Sequence, residues 1–119
     1  MFVDEIYVEH VAKLFKILGD ANRLRILVTI GKDERSVSEI IEVTSLSQTL
    51  VSFHLRALRD VGIVTAERQG AFVYYRLTKV DLLDLIREFQ EYASQVKIMM
   101  ETEKAEFPFP CPPMGKKFF

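Results

Sequence analysis

The sequence predicts a mainly helical chain with one small β-hairpin, in the order α-α-α-α-β-β-α. Apolar residues recur at every third or fourth position through five segments, as they do on the buried face of a helix. Two short β-type runs flank Gly70, which is typical of a hairpin. Four prolines between positions 107 and 113 rule out further helix. We therefore expect one domain over residues 1–106 and an extended Pro-rich tail over residues 107–119.

The composition is that of an ordinary globular protein. The chain has 119 residues, of which 49% are hydrophobic and 28% charged. It contains no apolar run of the roughly 18 residues needed to span a bilayer, and its acidic N-terminus is unlike a signal peptide. The lone cysteine, Cys111, cannot form an intrachain disulfide. These features predict a cytoplasmic protein without a membrane partner.

The charge is polarised along the chain. The net charge is only −1, but residues 46–79 carry five basic and two acidic side chains, whereas residues 80–106 carry seven acidic and three basic ones. Binding to phosphates requires local positive charge and not a basic total. Nucleic-acid binding by residues 46–79 is therefore compatible with the composition.

The first two helices are predicted from periodicity and end signals. A helical stripe runs from Asp4 to Leu18, Gly19 is a suitable C-terminal stop, and Asp20 is a suitable N-cap for the next helix. That second helix, over residues 22–31, is apolar on nearly all sides. It is expected to be the central buried helix.

The next two helices are short and closely spaced. Ser36 and Glu39 form a capping-box pattern that opens a helix through Val43. The tripeptide at 44–46 is long enough only for a tight turn, and Ser47 then caps a helix that extends to Val61. Two short helices joined in this way predict a helix-turn-helix.

The C-terminal third contains the hairpin and the longest helix. β-type runs at 63–67 and 72–77 flank a predicted turn at 68–71, so the chain is expected to form a winged helix-turn-helix. The last helix should run from Asp81 to about Glu103.

The helix over residues 47–61 has two different faces. Val51, Leu55 and Leu58 lie on one side, which we expect to face the core. The opposite side is short and polar near its start and basic further along, a layout that suits a recognition helix in the major groove. With the hairpin tip, the predicted DNA contacts are Ser47, Gln48, Thr49, Ser52, Phe53, Arg56, Arg59, Arg68, Gln69 and Gly70.

Each predicted contact has a chemical rationale. Gln48 can pair with adenine through two hydrogen bonds, and small hydroxyl side chains can reach base edges or phosphates. Phe53 is a large apolar residue at an outward position, where contact with thymine methyl groups would account for it. Arg56 and Arg59 lie where phosphates would pass.

Three motifs together resemble the ArsR-type winged-helix repressors of bacteria and archaea. They are LGDANRLRIL (18–27), SVSEIIEVTSLSQTLVSFHLRALRDVGIV (36–64) and ERQGAFVYYRL (67–77). The resemblance covers residues 8 to about 90. It implies a homodimer built on the first and last helices, an inverted-repeat operator in double-stranded DNA, and repression lifted by a ligand. It also places the base contacts at positions 48, 49, 52 and 53, the last of which is often histidine in relatives.

The residues that bind metals in such relatives are missing. Ser36 and Ser38 stand where one family site has a Cys-x-Cys pair, and a hydroxyl does not replace a thiolate for soft metals. The last helix offers acids but no histidine for the other site, and these acids are expected to form a solvated face. We therefore predict no metal and no cofactor, and the sequence does not indicate the effector.

An apolar stripe on the last helix is wider than one small domain needs. Together with N-terminal apolar residues it predicts a two-fold dimer interface, which would set two recognition helices about 34 Å apart. The expected interface residues are Phe2, Ile6, Tyr7, Leu82, Leu85, Phe89, Tyr92 and Val96.

Three further residues have alternative readings. His10 is expected at the surface, and His54, which flanks the core stripe, is expected to be structural, with a phosphate contact as the alternative. Cys111 is either incidental in the tail or a thiol that makes the repressor redox-responsive.

The sequence also bears on two other function classes, a protein-interaction module and an enzyme. The winged helix can instead be a protein-interaction module whose polar helix face is incidental. An enzyme is not expected, because the sequence has no nucleophile elbow, phosphate loop or cluster of metal ligands.

Overall fold

A computed structural model describes residues 4–102, with side chains described as far as residue 96. The described part contains five helices and three strands, and the predicted fold class is confirmed. In chain order the elements are α1 (Glu5–Leu18), α2 (Ala21–Ile30), β1 (Glu34–Ser36), α3 (Val37–Thr44), α4 (Gln48–Asp60), β2 (Val64–Gln69), β3 (Phe72–Leu77) and α5 (Asp81–Thr102).

Side-chain caps determine where the central helices begin. The Asp20 carboxylate accepts hydrogen bonds from the backbone N–H groups of Asn22 (2.8 Å) and Arg23 (3.1 Å) at the start of α2. Ser36 and Glu39 form a reciprocal capping box at α3. The hydroxyl of Ser47 accepts from the N–H of residue 50 at the start of α4. These caps satisfy N–H groups that have no partner within the helix, and all three predicted caps are confirmed.

The turn between α3 and α4 has a left-handed residue at its centre. Ser45 has φ of 62°, and its N–H donates to the carbonyl of Ile41 at 2.8 Å, which closes the end of α3. The Thr44 hydroxyl donates to the carbonyl of Ile40 and accepts from the N–H of Leu46. The turn is therefore held by its own hydrogen bonds, and it sets the direction in which α4 leaves α3.

The sheet has a strand that the sequence pattern did not predict. Its antiparallel order is β1-β3-β2, and β1 pairs Glu34 with Arg76 and Ser36 with Tyr74. β1 is three residues long and contains no apolar side chain, so hydrophobic periodicity could not indicate it. Its backbone covers one edge of β3.

The hairpin turn is tighter than expected. β2 extends to Gln69, so the turn contains only Gly70 and Ala71 and not the predicted four residues. Gly70 has φ of 66°, a conformation that suits glycine at the first central position of a two-residue hairpin turn. Arg68 and Gln69 consequently belong to a strand, and their side chains alternate between the two faces of the sheet.

The core lies among α2, α3, α4 and the two long strands. Burial of its side chains removes the apolar faces of these elements from water, at about 1.5–3 kcal/mol for each large residue. The buried hydrophobic residues are Ile26, Leu27, Ile30, Ile40, Val51, Leu55, Leu58, Val64 and Leu77.

The first helix contributes nothing to this core. α1 has no buried residue, although one side of it is apolar. Its exposed large hydrophobic residues are Ile6, Tyr7, Val8, Val11, Leu14 and Phe15.

The chain divides into two compact units, and most of α5 belongs to the second, which starts at Leu85. α5 is one continuous helix through Thr102, as predicted, and it too has exposed large hydrophobic residues. Within residues 4–102, no helix is both long and apolar enough to cross a membrane.

Candidate nucleic-acid interface

α4 is anchored by the residues that the sequence assigned to its core side. Val51, Leu55 and Leu58 are each at most 1% exposed, and they pack in the core with α2, α3 and β2. With three large apolar side chains buried along one stripe, α4 cannot rotate without losing core contacts. Its outward face is therefore presented in one orientation.

The outward face of α4 is exposed along its whole length. Phe53 is 60% exposed, which is unusual for a phenylalanine beside an available core. Its ring and the His54 ring form a T-shaped pair at a centroid distance of 5.3 Å. All the predicted α4 contacts are exposed, namely Ser47, Gln48, Thr49, Ser52, Phe53, Arg56 and Arg59.

The electrostatics of α4 favour an anion near its N-terminus. Its first turn has no acidic side chain, so the positive end of the helix dipole is not neutralised locally. Gln48 and Thr49 lie in this turn, and the two arginines follow on the next turns. A polynucleotide backbone that crosses here would meet backbone N–H groups, small polar groups and guanidinium groups in succession.

The hairpin presents its two predicted contact residues on opposite faces. Arg68 is opposite Val73, on the sheet face that also carries the buried Val64 and Leu77. Gln69 is on the other face, where its amide donates to both carboxylate oxygens of Glu34 at 3.2 Å. The amide nitrogen of Gln69 is thus held by this carboxylate, so Arg68 is the better placed of the two to donate to a phosphate.

The fourth arginine of residues 46–79 is already engaged. Arg76 lies 3.8 Å from the carboxylate of Glu67, and both side chains are about 60% exposed. Such an exposed pair contributes little to stability. It does, however, place a carboxylate beside this guanidinium on the outer face of the sheet.

His54 is buried behind the exposed face of α4. It is 4% exposed, and its Nδ1 accepts a hydrogen bond of 3.1 Å from Nε of Arg23 in α2. Its Nε2 lies 3.9 Å from the carboxylate of Asp20. The expected structural role is confirmed, and the partners are the side chains of Arg23 in α2 and of Asp20, the N-cap of α2.

The surroundings of His54 keep its ring neutral. Burial lowers the pKa of His54 below its usual 6.5, nearby Asp20 raises the pKa, and nearby Arg23 lowers it. Because Nδ1 accepts from a guanidinium, the neutral ring carries its proton on Nε2. That proton is directed to the side of Asp20.

Arg23 is a residue whose role the sequence did not reveal. Besides its bond to His54, its Nη1 donates to the carbonyl of Ile17 at 3.2 Å, in the last turn of α1. One guanidinium thus connects the end of α1 with the middle of α4. The only signal in the sequence was a cation in a helix that is otherwise nearly all apolar.

The predicted dimer residues are mostly exposed. Ile6 and Tyr7 are 57% and 59% exposed on α1, and Leu85, Phe89 and Tyr92 are 52–62% exposed on α5. Leu82 and Val96 are half-buried. Phe2 lies outside the described residues, as does Cys111.

The two serines in the positions of a thiol pair have different surroundings. Ser36 is buried and its hydroxyl is used in the cap of α3, while Ser38 is exposed. Among the described residues, no group of three or more His, Cys, Asp and Glu side chains could hold a metal ion.

Comparisons with known proteins agree on one family. The model for "Bacterial regulatory protein, arsR family" matches residues 20–66, from the cap of α2 into β2. A homodimeric winged helix-turn-helix DNA-binding domain from Mycobacterium bovis, a possible ArsR-family transcriptional regulator, is 32% identical with a TM-score of 0.67. That match covers 80% of this chain and 90% of the domain. The chain belongs to the ArsR family.

Two further relatives extend the comparison. The cadmium resistance transcriptional regulatory protein CadC of Listeria innocua is 35% identical over 77 residues. The match spans 64% of this ArsR-family chain and 65% of CadC, just under two thirds of that relative. The crystal structure of Rv0081 from M. tuberculosis has a TM-score of 0.69 at 28% identity and covers 79% of this chain and 94% of that one. The family consists of regulatory proteins, which confirms that an enzyme was not to be expected.

Proposed function

We propose that this ArsR-family protein is a homodimeric, cytoplasmic transcriptional repressor that binds an inverted-repeat operator in double-stranded DNA. α4 is the recognition helix, and the β2–β3 hairpin is the wing. Operator binding ends when an effector changes the angle between the two subunits, so that both α4 helices no longer fit adjacent grooves. A coupling free energy of about 1–3 kcal/mol is sufficient for such a change.

The observation that carries this proposal is the outward face of α4. It combines small polar side chains, an exposed phenylalanine and two arginines on a helix whose other face is locked in the core. A helix face that only met water would not need Phe53 at 60% exposure. A face that reads the major groove uses such a residue against thymine methyl groups, while Gln48 and Ser52 bond to base edges.

The relatives support the same function. CadC is a transcriptional regulatory protein, and a probable mercury resistance operon repressor of Streptomyces lividans is 37% identical over 75 residues. Both are named for resistance to metals. The positions of a thiol pair are serines here, so we do not extend the metals of those relatives to this chain.

The dimer is supported by apolar surface that one copy leaves in water. α1 has an entire apolar side without a buried residue, and α5 exposes Leu85, Phe89 and Tyr92. Large apolar side chains exposed along one side of a helix are typical of protein interfaces. The related M. bovis domain is homodimeric. A two-fold dimer would present two α4 helices one turn of DNA apart, about 34 Å, which matches an inverted repeat.

The proposal is tested by fluorescence anisotropy with a labelled duplex from the protein's own promoter, against a scrambled duplex, at several salt concentrations. The informative variant is Gln48→Ala/Ser52→Ala on α4. Its matched control is Gln90→Ala/Ser94→Ala, which removes the same two residue types at the same spacing from exposed positions on α5.

We expect the wild type to prefer the promoter duplex, and its affinity to fall with salt. The α4 variant should lose most of the preference, about tenfold or more, because base contacts specify while phosphate contacts remain. The α5 variant should behave as wild type. If the wild type shows no preference, or if both double variants bind alike, α4 does not read bases and the interaction-module alternative replaces this proposal.

A further inference from the structure

Three side chains beneath the outward face of α4 join three helices through one guanidinium. Nε of Arg23 donates to His54 on α4 (3.1 Å), and its Nη1 donates to the Ile17 carbonyl on α1 (3.2 Å). Asp20 caps α2 and also lies 3.9 Å from Nε2 of His54. We call Asp20, Arg23 and His54 the α2–α4 cluster.

We propose that the α2–α4 cluster positions the recognition helix relative to α1, and that protonation of His54 breaks this link and weakens operator binding. The proposal deepens the proposed function, on which it rests for the role of α4. It assigns Arg23 and His54 as positioning residues, since neither is part of the outward face that meets DNA. It also makes acidification one input that releases the repressor.

Protonation has a defined consequence for the hydrogen bonds. A proton taken from solvent onto Nδ1 converts the acceptor of Arg23 into a donor, so the bond between Nε and Nδ1 cannot persist. Two cations then face each other at the site of the former bond. Arg23 must turn away, and the connection from His54 through Arg23 to the end of α1 is lost.

The charged groups around the ring act in opposite directions. Asp20 favours the protonated ring, while Arg23 and burial oppose it, with burial the largest effect on the pKa. Arg23 lies in α2, and Asp20 is the N-cap of that helix. α3 and β2 also pack against α4, but among the described residues they bring no charged group that acts on the ring. Because the pKa of His54 is lowered, the ring is neutral at neutral pH and gains its proton only under acidic conditions.

The site of the change is next to the DNA-reading face. The His54 ring forms a T-shaped pair with the Phe53 ring, whose side chain points outward from α4. Movement of the buried ring therefore displaces an aromatic side chain on the proposed recognition surface. A loss of positioning here should reduce base-specific affinity more than non-specific affinity.

The test uses His54→Asn, because the Asn Oδ1 can replace Nδ1 as an acceptor for Arg23 and does not titrate. Binding to the labelled promoter duplex is measured at pH 7.5 and pH 5.0, at one fixed salt concentration. The matched control is His10→Asn, which removes the other histidine of the chain, an exposed residue on α1.

We expect the affinity of the wild type to fall about tenfold between the two pH values, the effect of losing one hydrogen bond to a charged group. His54→Asn should bind with similar affinity at both, and His10→Asn should follow the wild type. The direction of the change in DNA affinity is informative, because acidification adds positive charge and by itself strengthens DNA binding. An unchanged wild-type affinity, or an equal fall in His54→Asn, would overturn the proposal.

A second measurement does not depend on DNA. Amide hydrogen exchange of the free protein at pH 5.0 should be faster in α4 and in the last turn of α1 for the wild type than for His54→Asn at the same pH. If the wild type and His54→Asn show the same amide exchange rates, the proposed effect of His54 protonation on α4 and α1 is refuted, even where DNA binds normally. If exchange differs as expected but no duplex is preferred at pH 7.5, the proposed function fails and the link stands.

Discussion

α4 and α1 are both amphipathic helices, but a single chain buries the apolar side of α4 and not that of α1. The apolar stripe of α4 is at most 1% exposed at Val51, Leu55 and Leu58, whereas α1 has no buried residue at all. Periodicity is equally clear in both sequences, so it does not distinguish a helix that completes its own core from one that awaits a partner. In the proposed dimer, the difference separates two tasks, since α4 is held in place by its own subunit and α1 is available for association.

The largest expected effect on stability comes from replacing a leucine by alanine, compared between these two helices. Leu55→Ala on α4 should cost about 2–5 kcal/mol of unfolding free energy, because it leaves a cavity in the core. Leu14→Ala on α1 removes a side chain that is 38% exposed in the single chain. It should lower the dimer affinity instead. Urea unfolding at two protein concentrations checks both, and equal losses that do not depend on concentration would contradict the comparison.

The predicted dimer interface on α5 can be tested with a single added charge. Phe89→Glu places a carboxylate in the predicted interface and should shift the protein to monomers at micromolar concentration, with operator affinity falling at least tenfold. Gln90→Glu adds the same charge at the next position and should remain dimeric. Sedimentation equilibrium measures the assembly. A Phe89→Glu protein that stays dimeric would remove α5 from the interface.

A smaller effect on stability is expected from the cap of α3, the helix that precedes α4. Ser36→Ala deletes the hydroxyl that caps α3 and should cost about 1 kcal/mol. Ser38→Ala, at an exposed position of the same helix, should change the stability by less than about 0.5 kcal/mol. Thermal unfolding of the two variants compares them directly. Similar melting temperatures would show that the cap has no energetic weight here.

The smallest expected effect concerns the wing. Arg68→Ala should reduce the slope of log affinity against log salt by about 0.9, the contribution of one phosphate contact. Gln69→Ala should leave the slope unchanged, since its amide is bonded to Glu34. Anisotropy titrations across a salt series separate the two. An unaltered slope in Arg68→Ala would place the hairpin tip away from the DNA backbone.

Short-range patterns were the ones that the sequence determined correctly. The caps at Asp20, Ser36 and Ser47 depend on atoms no more than three residues away, so a local pattern carries all the required information. The core stripe of α4 is equally local, because helical geometry alone assigns its faces. The motifs at 18–27, 36–64 and 67–77 were sufficient to indicate the family.

Contacts between distant segments were not accessible in the same way. β1 forms because Glu34 and Ser36 meet β3 about forty residues later, which no pattern within Glu-Arg-Ser specifies. The bond between Arg23 and His54 spans 31 positions. The hydrogen bond between Gln69 and Glu34, which distinguishes the two wing residues, spans 35 positions.

The helix order, the caps, the buried stripe of α4 and its polar outer face could all be predicted from the sequence, since each follows from spacing along one element. Three features became visible in the folded chain alone: α1 has no buried residue, a third strand covers the edge of β3, and a buried histidine connects α4 through Arg23 to the end of α1. These features depend on how distant segments pack, and the hydrogen bonds among them form only where the fold brings donor and acceptor to about 2.7–3.2 Å.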